Sequence, residues 1–247
     1  MLAAILFDLD GTLVDLDGDA FLEDYTEKLS GTLSEWIAPA RFKSALWSAA
    51  VGALATPHPT QTNRAVLMHQ LAAALDVSPD WLWAHIDAFN RTQTASVLPG
   101  GRPRPGAQDV VHLARQRGLK IALATTPIYD LPVVEERLGR AGLRHIPWDV
   151  VATDLFQSTK PYPAYYQEIA RRLDVAPEDC LMVGDDAFND LAAAHVGMHT
   201  FYVGPAMGGL EVGPAGTLED LAEWLARSDL PWERSRPSRV AGRELSE

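Results

Sequence analysis

With 247 residues, 47% of them apolar and 22% charged, the chain has the make-up of a globular enzyme able to bury a sizeable core. A net charge of −12 opposes nonspecific binding to nucleic acid or to an anionic membrane, and no apolar run approaches the roughly eighteen residues that a spanning helix requires. Cys180 is the one cysteine, so an intrachain disulfide is excluded; with an N-terminus that lacks the basic flank of a signal peptide, the expectation is a cytoplasmic protein.

The chain opens on Ala3–Phe7, an apolar run of strand length, which stops at Asp8-Leu9-Asp10-Gly11-Thr12. Strand alternation places Asp8 and Asp10 on the same side, with Leu9 turned away. Two carboxylates at the mouth of an apolar strand repel each other and lose solvation, so they need a proton or a cation. Gly11 permits a sharp turn, and Thr12 sets a hydroxyl beside the pair.

After the turn-like stretch Val14–Asp19 the rhythm is helical to about Ser96. Phe21, Leu22, Tyr25 and Leu29 mark a first helix that Gly31 interrupts, and others follow at 39–54, 62–75 and 79–96. Ser78 is placed to cap the last of them, with Pro79 at its first position. Trp36, Trp47, Trp81 and Trp83 fall here and are expected to pack between helices, with one or two free to line a pocket. His58, His69 and His85 lack metal-ligand spacing.

The Pro- and Gly-rich segment 98–106 reads as a linker. Beyond it helix and strand alternate: helix 107–117, strand 119–124, helix 131–141, strand 148–152, helix 163–173, strand 180–183, helix 189–196 and strand 199–203. This pattern predicts an α/β core with a Rossmann-like parallel sheet. The chain leaves that core after its first strand, builds a helical insert and returns. Residues 1–16 and 100–230 form the core, 17–99 the insert, and 231–247 a polar, Arg-rich tail that is loosely held. Thr217 caps a last helix running to about Arg227.

Ligands of open parallel sheets bind beyond the carboxyl ends of the strands. Those ends carry Asp8 and Asp10, then Thr125-Thr126, then Gly184-Asp185-Asp186 with Asn189-Asp190, while Lys160-Pro161 lies on a loop. In order, these segments resemble the four motifs of the haloacid dehalogenase (HAD) superfamily, most of whose members are phosphohydrolases: hhhDxDGT at Phe7–Thr12, hhhT at Leu123–Thr125, K-P at Lys160–Pro161 and hhGDDxxxD at Val183–Asp190. The insert is similar to the helical C1 cap in position and helical pattern, and the resemblance implies strand order 5-4-1-2-3.

By that resemblance Asp8 is the nucleophile that forms an aspartyl-phosphate, and Asp10 the general acid and then base. Thr125 and Lys160 balance charge on the transferring group, with Thr12 and Thr126 also contacting substrate. Mg²⁺ is held by Asp8, Asp10 (through its backbone carbonyl) and Asp185, with Asp190 and Asp186 assisting the metal or orienting Lys160. Asp190 is equally readable as the acid at a helix start. The implied substrate is a small phosphorylated metabolite, handled by a monomer or homodimer without nucleic acid or membrane.

Aspartate at position 10 favours monoester hydrolysis or phosphoryl transfer, since the superfamily's dehalogenases lack this acid. A phosphonatase would need a cap lysine, for which Lys28 and Lys43 are the only candidates. A phosphomutase shares every motif, and a catalytically inert binding protein is the third alternative. Arg64, Arg91, Arg102 and Arg104 are read as solvated surface groups, with an anionic leaving group as their other possible partner.

Overall fold

The computed structural model describes residues 1–98, 100–204 and 214–227. The polar tail expected at 231–247 lies outside the described residues. A parallel sheet runs in the order β3-β2-β1-β4-β5-β6, built from β1 (Ala4–Phe7), β2 (Lys120–Leu123), β3 (Val150–Val151), β4 (Cys180–Gly184), β5 (His199–Val203) and β6 (Ala215–Gly216). The first five have the implied order. The sixth is an edge strand of two residues, paired with Tyr202 and Val203, and no apolar run announces it.

Alternation along β1 distributes its side chains between two apolar layers. Ile5 and Phe7 join the layer that includes α5 (Ala107–Gln116) and α8 (Leu218–Ala226). Ala4 and Leu6 join the opposite layer, where Tyr165, Tyr166 and Ile169 of α7 (Pro163–Leu173) pack. All four residues of β1 are buried, which explains why the strand reads as a continuous apolar run.

Four helices stand between β1 and α5: α1 (Gly18–Thr32), α2 (Pro39–Leu54), α3 (Asn63–Leu75) and α4 (Pro79–Gln93). Asp17 caps α1 and Ser78 caps α4 through their side chains, and Pro79 occupies the first turn of α4. The two chain crossings into this insert lie side by side, tied by Asp15 N–H to Arg102 C=O at 2.8 Å and Arg104 N–H to Leu13 C=O at 3.0 Å. Phe21 and Tyr25 of α1 meet Tyr129 of the core edge to face, so one apolar cluster runs from insert to sheet.

The tryptophans divide. Trp81 and Trp83 are partly buried against the core cluster, whereas Trp36 and Trp47 are exposed, at 55% and 62%. Trp36 still packs edge to face on Trp81 and His85 of α4, and Trp47 lines a groove that α1 and α2 leave open between them. At the other end of the chain, the helix expected over 189–196 is a 3₁₀ helix, Leu191–Val196. The residues before it are drawn into a tight turn by Asp186, which accepts from the backbone N–H groups of Phe188 (2.9 Å) and Asn189 (3.0 Å).

Candidate active site

The carboxyl ends of the three central strands converge on one cluster. Asp8 follows β1, its N–H still bonded to Val183 C=O at 2.9 Å; Thr125 follows β2, and Asp185 follows β4. Strand alternation does not continue through Asp10. Leu13 and Val14 both donate to Leu9 C=O, at 2.8 and 3.0 Å, so the chain curls away after Asp8. Asp8 and Asp10 consequently address different partners.

Asp8 accepts from the Lys160 ammonium at 2.7 Å, and Asp190 accepts from the same ammonium at 2.7 Å. Asp190 is fully enclosed, and its other oxygen accepts the Asp186 N–H at 3.0 Å. It stands at the start of the 3₁₀ helix without capping it, its side chain being spent on Lys160 and the Asp186 backbone. Asp8, Asp185 and Asp190 each present an oxygen within 4.8 Å of the others, the one such metal-competent group among the described residues.

Electrostatics set this cluster apart. Burial alone would lower the Lys160 pKa, yet the flanking Asp8 and Asp190 carboxylates overcome it and hold the ammonium charged. Burial pushes the Asp185 carboxyl up, helped by the Asp8 charge and opposed by the Thr12 hydrogen bond. Asp190 is pushed up to about 7, chiefly by burial, with Lys160 pulling against it. Three acids, two of them buried and Asp185 partly so, against one ammonium leave excess negative charge, which a proton or a divalent cation would offset. The donor set is all oxygen, as a hard cation such as Mg²⁺ prefers, so the residues fit that ion.

Thr12 is committed to this cluster: its hydroxyl donates to Asp185 at 2.7 Å. Thr125 is buried, and its carbonyl accepts from Tyr165 at 2.7 Å. Thr126 is exposed beside it. Asp186 is exposed and occupied by its own turn, apart from the metal-competent group. Gly11 has φ +79°, and a Cβ placed there would sit 2.2 Å from Asp185 Oδ2, so a side chain at this turn would collide with the acid.

Asp10 turns to Arg137, a residue to which the sequence reading gave no role. Arg137 Nε donates to Asp10 Oδ1 at 3.1 Å, Nη2 pairs with Asp10 Oδ2, and Nη2 also reaches Thr125 Oγ1 at 3.5 Å. The signal was available: Arg137 falls on the apolar stripe of α6 (Leu131–Arg140) beside Val133, Val134 and Leu138. Arg64 was likewise read as a surface group. It makes a two-point ion pair with buried Asp154, at 2.7 and 2.8 Å, and stacks over Trp83. Arg91 and Arg102 pair with Asp87 and Asp15, Lys28 with Asp24 and Lys43 with Glu27. Between α1 and α2 runs a groove of about 550 Å³, lined by Asp19, Glu23, Glu27, Lys43 and Trp47 among others.

Compared with known proteins, the chain matches the haloacid dehalogenase-like hydrolases over residues 2–197, and it belongs to that family. It is a hydrolase, and it is similar to proteins named as phosphatases. It is 30% identical over 200 residues to Protein CbbY of Cereibacter sphaeroides, covering 78% of this chain and 80% of that one. Against the glyceraldehyde 3-phosphate phosphatase of Methanopyrus kandleri it is 30% identical over 131 residues, 53% of this chain and 52% of that one. The structure of a HAD phosphatase from Thermococcus onnurineus superposes with a TM-score of 0.55 at 19% identity, covering 91% of this chain and 98% of that one, a likeness of fold. No helix among the described residues is long and apolar enough to cross a membrane.

Proposed function

We propose that this protein hydrolyses phosphate monoesters of small metabolites with the help of Mg²⁺, through an aspartyl-phosphate on Asp8. The observation that carries the reading is the Lys160 ammonium seated 2.7 Å from both Asp8 and Asp190, at the point where Asp185 also arrives. Asp8, the Asp10 backbone carbonyl and Asp185 would hold the cation, with Asp190 within reach. Bound there, Mg²⁺ would shield the nucleophile from the charge of the phosphoryl group.

The remaining steps belong to the chain's own groups. An Asp8 oxygen attacks phosphorus while the bond to the ester oxygen breaks, and Asp10 passes its proton to that oxygen. Lys160 offsets charge on the phosphoryl oxygens, and the Thr125 hydroxyl donates to one of them. Asp10 then takes a proton from water as that water attacks the aspartyl-phosphate, releasing inorganic phosphate. The insert α1–α4 acts as a cap over this site, across residues 17–99. Asp19 of the groove follows Gly18, which packs on Asp10, and by that adjacency the groove is assigned to the alcohol part of the ester.

The test is release of inorganic phosphate from a panel of phosphorylated metabolites, with Mg²⁺ and with a chelator. Turnover in Mg²⁺ alone is expected, and Asp8→Asn is expected to abolish it while the protein stays folded. Substantial residual turnover in that variant would remove Asp8 from its role. Absence of turnover on every ester would leave the fold as a binding protein.

A further inference from the structure

Arg137 is 97% enclosed in its side chain, lying between Phe21 of α1 and Tyr129, whose rings stand 5.3 and 5.2 Å from the guanidinium carbon. Its Nη1 has no hydrogen-bond partner among the described residues. A guanidinium kept dry with a donor unused is an expensive way to fill a helix stripe, and an apolar side chain would pack there at less cost. What the arginine holds is Asp10 and Thr125, which come from two separate strand ends. Its planar fork meets both oxygens of one carboxylate and so fixes the plane of that group as well as its place. Asp10 needs such a fixture because it lies beyond the end of β1, where a single bridge to Val14 holds the backbone and leaves the carboxyl to Arg137.

We infer that Arg137 is a positioning residue, fixing the Asp10 carboxyl in the arrangement from which it serves the ester oxygen. The inference rests on the phosphatase reading above. Its neighbour one turn on, Arg140, donates to the carbonyls of Val97 and Leu98 at 2.8 and 2.7 Å, in the second crossing between insert and core. Helix α6 thus grips both crossings, and Arg137 is the grip that reaches the reacting groups.

The discriminating experiment compares two esters. p-Nitrophenyl phosphate expels a phenolate that needs little help from an acid, whereas an alkyl phosphate needs a proton delivered to its leaving oxygen. In Arg137→Met, the single-turnover rate of alcohol release, which precedes the step where Asp10 acts as base, is expected to fall about 10²-fold on the alkyl ester and by much less on the aryl ester. Arg137→Lys, which keeps the charge but loses the fork, is expected to show the same selective loss in milder form. Circular dichroism reports whether each variant is folded, and if the methionine variant is not, the lysine variant carries the comparison. Equal losses of that release rate on both esters in a folded variant would overturn the positioning role and leave Arg137 structural. Wild-type protein inactive on both esters would instead bring down the phosphatase reading, and this inference with it.

Discussion

Lys160 and Asp190 form a buried pair in which neither side chain faces solvent, and the same ammonium is shared with Asp8 at an equal 2.7 Å. One positive charge therefore serves two acids of a three-acid cluster. Removing it in Lys160→Met is expected to cost at least about 10²-fold in turnover, because charge on the phosphoryl group then goes unmatched. The same change is expected to tighten divalent-cation binding, since the acids lose their internal counter-charge. A thermal-shift titration with Mg²⁺ reads the second effect, and weaker cation binding in the variant would contradict the assignment.

Protons and the cation compete for this cluster, which gives a pH dependence with a definite sign. Asp190 is pushed up to about 7, and Asp185 is also raised, both chiefly by burial. In the unfolded chain a carboxylate titrates near pH ~4. The metal-free native protein therefore keeps protons that the unfolded chain releases. The stability this contributes is complete below about pH 4 and is lost as pH rises through the native value near 7. In a chelator, Tm is expected to fall between pH 5.5 and 8, and Mg²⁺ is expected to raise Tm more at pH 8 than at pH 5.5. An equal Mg²⁺ increment at the two pH values would show that these acids do not bind the ion.

Gly11 tests the metal cluster from the backbone side. Alanine at this position must accept a φ of +79° and place its Cβ 2.2 Å from Asp185 Oδ2 and 2.9 Å from Oδ1. Strain of order 1 kcal/mol is expected from the backbone, with the Asp185 carboxylate displaced from Thr12. Gly11→Ala should fold with a modestly lowered Tm but lose most of its Mg²⁺-dependent stabilisation. Retention of the full Mg²⁺ shift would show that Asp185 can move aside without harm to the site.

The sheet was readable in the sequence wherever burial on both faces produced an unbroken apolar run, as at Ile5–Phe7 and Leu181–Val183. β6 escaped because two residues paired to Tyr202 and Val203 carry no pattern of their own. At the site, the motif spacing located Asp8, Lys160, Asp185 and Asp190, which the fold brings together. It placed Thr12 among substrate contacts, whereas the structure turns its hydroxyl to Asp185, a partner 173 residues away that no local pattern records. Arg64 read as a solvated surface group and Arg137 drew no role, although its place on the apolar stripe of α6 marked it as buried; the ion pair itself is visible only once both partners are placed. In each case the partner, Asp10 or Asp154, lies about ninety residues or more along the chain.

Arg64 supplies the last test, because its pair with Asp154 fastens α3 to the loop that leads to Lys160. Asn63 and Arg64 N–H groups donate to Phe156 and Asp154 carbonyls at 2.7 and 2.8 Å, and Asn63 Nδ2 donates to the carbonyls of Pro127 and Ser158. The Asp154 carboxyl is raised by burial despite the arginine beside it, so loss of the arginine leaves an acid without its counter-ion. Arg64→Met, which keeps the stem on Trp83, is expected to destabilise by about 2 kcal/mol in urea, discounted because Arg64 is partly exposed. Asp154→Asn should cost less, since the charge it strands, the Arg64 guanidinium, is partly exposed and reaches water, and the double variant should cost less than the sum of the two. The loss in Arg64→Met should also shrink at acid pH: the raised Asp154 carboxyl takes up a proton there, and its penalty appears only as pH climbs through its native value. Hydrogen exchange should quicken at the start of α3 and in 153–158 in that variant, where the latch has been released. Additive losses in the cycle, or a pH-independent loss, would mean that the pair does not join insert to core.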